Sequence, residues 1–323
     1  MGAAKAKGDA GEEREGVKLT NLDQPLFDGA QASKRDLVDY LDEVSDRIVP
    51  VLADRPLSVI RVHRGQEAFM QKNVPKYTPD FVRTVDFWAE ASHRTVSYAL
   101  CNDRPTLLWF GNQRAIEYHV TLVLAARPEH MTHLVLDLDP PEGDGFSMAV
   151  RAAHLVRQVL ADVGLEGAVK TSGAKGVHVF VPVDDTVSME DAAGATRAIA
   201  VRAEQLDPEI ATTAFMKEDR GHKVFVDSTR VGGATVVGAY SPRVRPGVPV
   251  SFPLPWDELD DVVPADFTIH NAVERLADRD PWRDLMPAPQ RIPDVLVEHG
   301  HEIPVPRVQA MHEGKRRARE RRQ

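Results

Sequence analysis

The sequence predicts a layered α/β (α+β) fold, on the evidence of three short strands and one long helix. The strands are LVLDLDP at 134–140, VHVFV at 177–181 and KVFVD at 223–227, in which apolar or β-branched residues alternate with polar ones. Between the first two strands, apolar residues from Met148 to Val163 are spaced three or four apart, as on one face of a helix. A strand, a helix and another strand in this order are typical of a sheet covered by helices.

The N-terminal part is expected to contain a disordered segment followed by a helix. Residues 1–16 are mainly Gly, Ala, Lys and Glu without periodicity and are predicted to be disordered. Order is expected from residue 17. Ser33 is predicted to cap a helix whose apolar residues between 37 and 48 are spaced three or four apart, and which ends near Pro50.

The remaining elements follow from alternation, capping residues and prolines. Residues 82–110 alternate as strands do, with Asn102 and Asp103 predicted to form a hairpin turn, and 116–120 form another strand. Three further helices are expected: one opened by Asp144 or Ser147 and closed by Gly164, one capped by Ser188, and one near 268–276. We expect one domain over residues 17–290 and a Pro-rich, basic tail over 291–323.

The first of the three strands carries a pair of acids. Period two places Asp137 and Asp139 on one face, roughly 7 Å apart along the strand. Like charges at this spacing repel unless a cation lies between them, and oxygen ligands favour a hard ion such as Mg²⁺ or Mn²⁺. A strand end with solvated acids explains the pair equally well. Asp227 at the end of the third strand and the turn KTSGAKG at 170–176 favour a phosphoryl-transfer site.

Taken in order, these motifs resemble those of a known family. The set DLD at 137–139, SGAKGVH at 172–178 and VD at 226–227 is similar to the three motifs of the archaeo-eukaryotic primase superfamily. The longer strings LVLDLDP, TSGAKGVHVFVPV, KVFVD and AYSPR resemble the polymerase domain of bacterial DNA ligase D and its stand-alone relatives, from about residue 17 to about residue 282. The resemblance implies a primase-polymerase core with mixed β-sheets, flanking helices and a short N-terminal module.

The resemblance also implies roles for the matching residues. The catalytic acids would be Asp137, Asp139 and Asp227, which would hold two Mn²⁺ or Mg²⁺ ions. The implied nucleotide contacts are His119, Ser172, Lys175, His178, Arg220, Arg243 and Asn21. Each has an ordinary alternative when taken alone: a structural histidine, a plain hairpin turn or a surface ion pair.

A second group of residues is predicted to contact DNA. Between 55 and 81, Arg61 and Lys72 are interleaved with Phe69 and Met70, which suits stacking of bases and binding of phosphates. The alternative is a core Phe beside a solvated charged face. The family grips the 5′-phosphate of the downstream strand with two lysines, and here Gln24 replaces the first while Lys34 keeps the second. A solvated lysine at a helix start is the alternative for Lys34.

Composition sets limits on the location of the protein. The chain has 323 residues, one cysteine (Cys101) and a net charge of −9, which is mild evidence against tight nonspecific DNA binding. No apolar run approaches the ~20 residues of a membrane span, and the first residues lack a signal sequence. Together with the resemblance to a bacterial family, these limits imply a bacterial cytoplasmic, nucleoid-associated protein without a membrane partner. The basic residues from Lys315 to Arg322 are predicted to act either as a solubility tail or as a weak DNA contact.

The expected activity is template-directed nucleotidyl transfer from an NTP or dNTP, with NTPs preferred, at gapped or overhanging DNA with a 5′-phosphate. One role is end joining with a Ku-type partner and a DNA ligase. Another is gap filling in excision repair beside a separate small ligase. A noncatalytic DNA-end-binding protein is an alternative of a different class, which the intact set of acids, Lys175 and His178 argues against.

Overall fold

The computed structural model describes residues 12–89, 93–143, 145–184, 186–231, 233–305 and 311. Within these residues the strands are β1 (Glu13–Arg14), β2 (Val17–Lys18), β3 (Leu57–Arg61), β4 (Phe69–Gln71), β5 (Arg83–Ala89), β6 (Arg94–Leu100), β7 (Ala115–Val120), β8 (Val123–Leu124), β9 (Arg127–Met131), β10 (His133–Asp139), β11 (Ala168–Thr171), β12 (Val177–Pro182), β13 (Ala211–Thr212), β14 (Val224–Asp227), β15 (Val236–Val237) and β16 (Pro253–Leu254). The α-helices are α1 (Lys34–Glu43), α2 (Ser45–Leu52), α3 (Arg104–Asn112), α4 (Phe146–Asp162), α5 (Met189–Leu206), α6 (Ala272–Leu276), α7 (Pro281–Leu285) and α8 (Asp294–Glu302).

Two six-stranded sheets form the centre of the molecule, which confirms the predicted α/β class. The first sheet has the strand order β13-β14-β10-β12-β11-β16 and is mixed, because β13 and β14 run parallel while the other neighbours are antiparallel. The second has the order β15-β7-β3-β6-β5, with β4 beside β3, and is antiparallel. Helices α4 and α5 pack on the first sheet, and α3 packs on the second. No helix in the described part of the chain is long and apolar enough to span a bilayer.

Strand β10 lies in the interior of the first sheet and is organised as its alternation predicts. Leu134, Leu136 and Leu138 are fully buried, and α4 and α5 both contact β10. Asp137 and Asp139 therefore point to the opposite face. Because strand register places paired residues on the same face, the pairing of β10 with β12 and β14 decides what surrounds these acids.

The ordered part of the chain begins earlier than predicted. Residues 1–11 lie outside the described residues, but residues 12–16 are not disordered, because β1 pairs with β2 in a small hairpin. Arg14 forms ion pairs with Asp39 and Asp42 on α1. The charged sequence of this segment is therefore explained by contacts between charged side chains and not by solvation.

The helix that follows begins as predicted but ends differently. Ser33 caps α1 in a reciprocal capping box with Asp36, as expected. The single helix predicted to end near Pro50 is instead divided into α1 and α2, with Pro50 inside the second. A proline in a helix removes one backbone hydrogen bond, and α2 ends two residues later.

One predicted turn is wrong, and one predicted helix cap can be checked only in part. Asp103 does not form a hairpin turn with Asn102; it caps α3, and its side chain accepts the backbone N–H of Thr106. Residue 144 lies outside the described residues, and Ser147 lies within α4, which begins after Gly145 without a side-chain cap. A Cβ atom at Gly145 would lie 2.8 Å from the carbonyl oxygen of Pro141, so close approach to the preceding loop favours glycine there.

The C-terminal region is more ordered than expected. The helix predicted for 268–276 is reduced to α6, five residues long. Within the predicted tail of 291–323, α8 packs on α5, while 306–310 and 312–323 lie outside the described residues. The docking is close because Gly300 of α8 lies directly against the backbone of Gly194 in α5, and Arg197 donates to the Gly300 carbonyl at 2.9 Å.

The contact between α5 and α8 predicts an asymmetric effect of two similar substitutions. A Cβ atom at Gly300 would overlap the backbone of Gly194, so Gly300→Ala should lower the free energy of unfolding by about 1–3 kcal/mol. At Gly194 the nearest atom to an added Cβ is 3.5 Å away, so Gly194→Ala is the matched control and should be tolerated. Urea unfolding of both variants measures this, and equal stability of the two would contradict the packing.

Candidate active site

One row of cross-strand neighbours crosses the first sheet and carries four polar residues. Lys170 on β11 pairs with His178 on β12, His178 pairs with Asp137 on β10, and Asp137 pairs with Asp227 on β14. The register therefore brings two of the predicted acids side by side on adjacent strands. Asp139 lies two residues further along β10, on the same face.

Each carboxylate has a basic partner. Asp137 contacts His178 Nε2 at 3.2 Å and Arg230 Nη2 at 2.8 Å. Burial opposes ionisation of Asp137, but His178 and Arg230 hold its pKa well below the usual range. Burial raises the pKa of Asp227, although its Oδ1 accepts hydrogen bonds from the backbone and hydroxyl of Thr229. The two acids of the pair are therefore held in different environments.

Arg230 lies between the two paired carboxylates. Its Nε atom is 3.0 Å from Asp137 Oδ2 and 3.3 Å from Asp227 Oδ2. No motif in the sequence marks this residue, because it follows Asp227 by three positions within a short turn that carries no recognisable pattern. A cation between the acids relieves their mutual repulsion.

A divalent ion fits the chemistry of these groups. The donors are carboxylate oxygens on one face of a sheet, as Mg²⁺ and Mn²⁺ require, and a positive charge already lies between two of them. Within the described residues, however, no three His, Cys, Asp or Glu side chains are spaced to ligate one ion. Arg230 fills the space between Asp137 and Asp227, so it would have to move for an ion to bind both.

The turn between β11 and β12 is held by Ser172. Its Oγ atom accepts the backbone N–H groups of Ala174 at 3.2 Å and Gly176 at 3.0 Å, which leaves its own proton free for a phosphate oxygen. Gly173 has a φ of 67° and packs against Val250 and Arg243, so it cannot carry a side chain. Gly176 is needed for a different reason, since a Cβ atom there would overlap the Leu138 carbonyl.

Basic residues surround Asp139 on the open side of the site. Lys175 Nζ lies 3.5 Å from Asp139 Oδ1, and Arg220 Nη1 lies 3.8 Å from Asp139 Oδ2. Arg220 is held over the Phe225 ring at 3.9 Å and donates to two carbonyls. Asp139, Lys175 and Arg220 line a cavity of about 420 Å³, together with Lys217, His222, Lys223 and the acids Glu142 and Glu218. Its size and its four Lys and Arg side chains suit a polyphosphate.

A buried carboxylate connects the two sheets. Glu117 on β7 lies 2.8 Å from His119 Nε2 and 3.1 Å from Arg243 Nε, and Arg243 also donates to the Ser172 carbonyl. Burial opposes its ionisation, but the contacts with His119 and Arg243 lower the pKa of Glu117 to about 2. Its alternation with His119 was visible in the sequence, but its role as a link between two predicted nucleotide contacts was not.

His178 is placed differently from the prediction. The ring is buried, and its two nitrogens contact Asp137 and Lys170 Nζ, the latter at 2.9 Å. Burial and the nearby Lys170 lower the pKa of His178 to about 4. Both ring nitrogens are therefore used within the sheet, and His178 does not present a free N–H group to a triphosphate in this structure.

The predicted DNA contacts divide into exposed and internal residues. Phe69 and Met70 are 37% and 46% exposed, and Lys72 is exposed beside them, as a stacking surface requires. Arg61 is buried and bonded to Gln71 and Gln113, and its guanidinium lies 5.8 Å from the Phe69 ring centre. The donors of Arg61 are thus used within the protein, and its contact with DNA stays a prediction.

Lys34 is not a solvated lysine. It is buried, and its ammonium donates to the Thr20 carbonyl and to Asn112 Oδ1. Burial and the charge of Arg114 lower the pKa of Lys34 to about 8. In the described residues, neither Lys34 nor Arg114 has an acidic side chain within salt-bridge distance, and Arg114 Nη1 is buried without a hydrogen-bond partner.

The other two N-terminal candidates lie close to Lys34 in the chain. Gln24 is half-buried, and its carbonyl accepts the Lys34 N–H at 2.9 Å. Asn21 is exposed with a φ of 53°, and its carbonyl accepts the Gln24 N–H. No described hydrogen bond or ion pair joins Asn21 to the three acids of the first sheet. Its role as a nucleotide contact therefore remains a prediction.

Comparison with known proteins agrees with this arrangement. Residues 33–282 match the family model described as LigD, primase-polymerase domain. The bifunctional non-homologous end joining protein LigD of Bacillus subtilis is 34% identical over 88% of this chain and 46% of its own length. The multifunctional non-homologous end joining DNA repair protein LigD of Mycobacterium tuberculosis is 34% identical over 84% of this chain and 36% of its own length. The chain thus spans less than half of these curated relatives.

One solved structure matches this chain over nearly all of its own length. The polymerase domain of Mycobacterium tuberculosis ligase D in complex with DNA superposes with a TM-score of 0.77 at 32% identity, covering 85% of this chain and 98% of that one.

Proposed function

The chain belongs to the LigD primase-polymerase domain family, and on that basis we propose that it is a template-directed nucleotidyltransferase that extends a DNA 3′-hydroxyl and releases pyrophosphate. The observation that carries the proposal is the alignment of Asp137 and Asp227 on adjacent strands, with Asp139 next to a basic cavity. Acids beside a phosphate-sized cationic cavity match the requirements of phosphoryl transfer. The catalytic unit is proposed to be residues 17–290.

Two divalent ions, Mn²⁺ or Mg²⁺, would be held by Asp137, Asp139 and Asp227. When bound, such ions would lower the pKa of the attacking hydroxyl and neutralise charge on the phosphates. Lys175, Arg220 and Arg243 would orient the triphosphate through charge-assisted hydrogen bonds, with His119 held beside Arg243 by Glu117. The cations of the cavity would then stabilise the negative charge that develops on the leaving pyrophosphate.

The exposed surface formed by Phe69, Met70 and Lys72 suits a nucleic-acid template. Phe69 and Met70 offer flat or soft apolar surface beside the exposed Lys72, a combination that binds bases and phosphates without sequence preference. The ring of His63 lies 5.1 Å from that of Phe69 and limits its movement. We propose that the template strand crosses the second sheet here while the primer end reaches the acids of the first.

The proposed biological role is filling of short gaps or overhangs at DNA breaks in the bacterial nucleoid. The names of the relatives support end joining, in which a Ku-type protein and a DNA ligase would be the partners. The family resemblance supports a preference for ribonucleotides. The role is one of DNA repair whether the ligase is joined to this chain or separate from it.

Extension of a primer on a 5′-phosphorylated gapped duplex tests the activity. The native protein should add nucleotides in Mn²⁺ or Mg²⁺, with NTPs used more efficiently than dNTPs. Asp227→Ala should remove extension without weakening DNA binding, because the acid acts only at the reacting atoms. Asp162→Ala, which changes an exposed acid of α4 away from the row, is the matched control and should leave extension intact.

Two results would contradict the assignment. Full extension by Asp227→Ala would show that the row of acids does not catalyse transfer. DNA binding without any extension by the native protein would favour the noncatalytic alternative. Steady-state kinetics with a clear preference for dNTPs would overturn the proposed sugar selection alone.

We also propose that Lys34 and Arg114 recognise the 5′-phosphate of the downstream strand. Lys34 and Arg114 have no acidic partner among the described residues, and the buried Arg114 Nη1 lacks a hydrogen bond, so an anion would complete their contacts. Gln24 supplies no charge of its own. The preference for a phosphorylated gap should therefore be modest, and it should decline as pH rises above about 8, where Lys34 loses its proton.

Binding to gapped duplexes with a 5′-phosphate or a 5′-hydroxyl measures this preference. Lys34→Ala should largely remove it, and Gln24→Lys should strengthen it by adding a charge-assisted bond. The second variant decides the question even if the first disturbs the packing around Thr20 and Asn112. Equal affinity for both duplexes in the native protein and in Gln24→Lys would mean that the phosphate is not recognised there.

A further inference from the structure

The cross-strand row contains one residue that the proposed mechanism does not use. Lys170 is fully buried at the β11 end of the row, opposite His178. Among the described residues, no acidic side chain lies within salt-bridge distance of its ammonium, and the ring of Phe180 lies 5.5 Å from it. A buried lysine without an acidic partner is costly, so its hydrogen bonds should reveal why it is there.

The hydrogen bonds of Lys170 leave two possible arrangements. Ser251 Oγ donates to the Thr171 carbonyl at 3.0 Å, so it can only accept from Lys170 Nζ, 2.5 Å away. On the other side, Lys170 Nζ is 2.9 Å from His178 Nδ1. Either the lysine donates to Nδ1, or Nδ1 carries the proton and donates to the lysine. The neighbour of Nε2 decides between them.

Asp137 determines which of the two arrangements is present. Its carboxylate already contacts Arg230 and can only accept, so the His178 nitrogen that lies 3.2 Å away must carry a proton. With Nε2 as the donor to Asp137, Nδ1 is the ring nitrogen left to accept a hydrogen bond. Lys170 is the donor that fills it. The tautomer of a histidine is set in this way by the partner of its other nitrogen.

We propose that Lys170 is a positioning residue: it donates to His178 Nδ1 and thereby holds the ring in the orientation in which Nε2–H faces Asp137. His178 then contacts Asp137 Oδ1, while Asp137 Oδ2 contacts Arg230. The inference rests on the proposed function only in assigning Asp137 to a metal. A histidine and its own hydrogen-bond partner commonly act together in this way on the geometry of a metal site.

The first test uses the native protein, free of metal and DNA. NMR of protein labelled with ¹⁵N in histidine distinguishes protonated from unprotonated ring nitrogens, and His178→Gln identifies the His178 signals by their loss. At pH 7.5 the proposal requires a protonated Nε2 and an unprotonated Nδ1. A protonated Nδ1 would overturn it, and this result does not depend on any variant at Lys170.

The second test removes the donor. Lys170→Met keeps the volume of the side chain and should place a proton on Nδ1 in a substantial fraction of molecules. It should also weaken Mn²⁺ binding, followed by electron paramagnetic resonance, by about 10–100-fold. Ser251→Ala leaves the contact with His178 in place and should keep the tautomer. Lys18→Met, at an exposed lysine of β2, is the matched control.

These outcomes separate the inference from the proposed function. An unchanged tautomer and unchanged Mn²⁺ affinity in Lys170→Met would overturn the positioning role, whatever the polymerase activity. A native protein that shows the Nε2–H tautomer and lysine-dependent Mn²⁺ binding, but extends no primer, would support the inference and contradict the proposed function.

Discussion

Antiparallel pairing holds the carboxylates of Asp137 and Asp227 side by side, and the rest of the site has to compensate for their repulsion. The register of β10 with β14 sets Asp137 opposite Asp227, and neither acid can leave this position without a shift of the strand. Leu134, Leu136 and Leu138 resist such a shift, because a slip by one residue would expose them. The apolar core on one face thus enforces close acids on the other, and Arg230 and His178 provide the compensating charge and hydrogen bond.

A second constraint joins the two sheets across the site. Glu117 belongs to the second sheet, whereas the Ser172 carbonyl belongs to the turn of the first, and Arg243 contacts both. Tyr240 lies three positions before Arg243 and is buried, with a φ of 67°. Its hydroxyl donates a hydrogen bond to Asp280. A non-glycine residue in this region of backbone space persists only when its surroundings hold it. The position of Arg243 is therefore set by packing as well as by charge.

Much of the fold and of the site could be predicted from the sequence, where alternation and motif order carry the information. Strands β10, β12 and β14 and the acids they carry were evident because their pattern is local. Arg230 and Lys170 were missed because nothing local shows that a cation lies between two strands or beneath a histidine. The inward folding of Arg61 and Lys34 onto backbone carbonyls could not be predicted, because a long basic side chain can either reach solvent or satisfy a carbonyl. Asp103 was misassigned because the same residue type serves turns and helix caps.

The most direct test of the account is the location of Mn²⁺ in a crystal of the protein. Anomalous scattering identifies the ion independently of any activity. We expect Mn²⁺ between Asp137 and Asp227, with the Arg230 side chain displaced from its contacts with both carboxylates. Mn²⁺ bound elsewhere at saturating concentration, with Arg230 still between the two acids, would contradict the assignment of this row as the metal site.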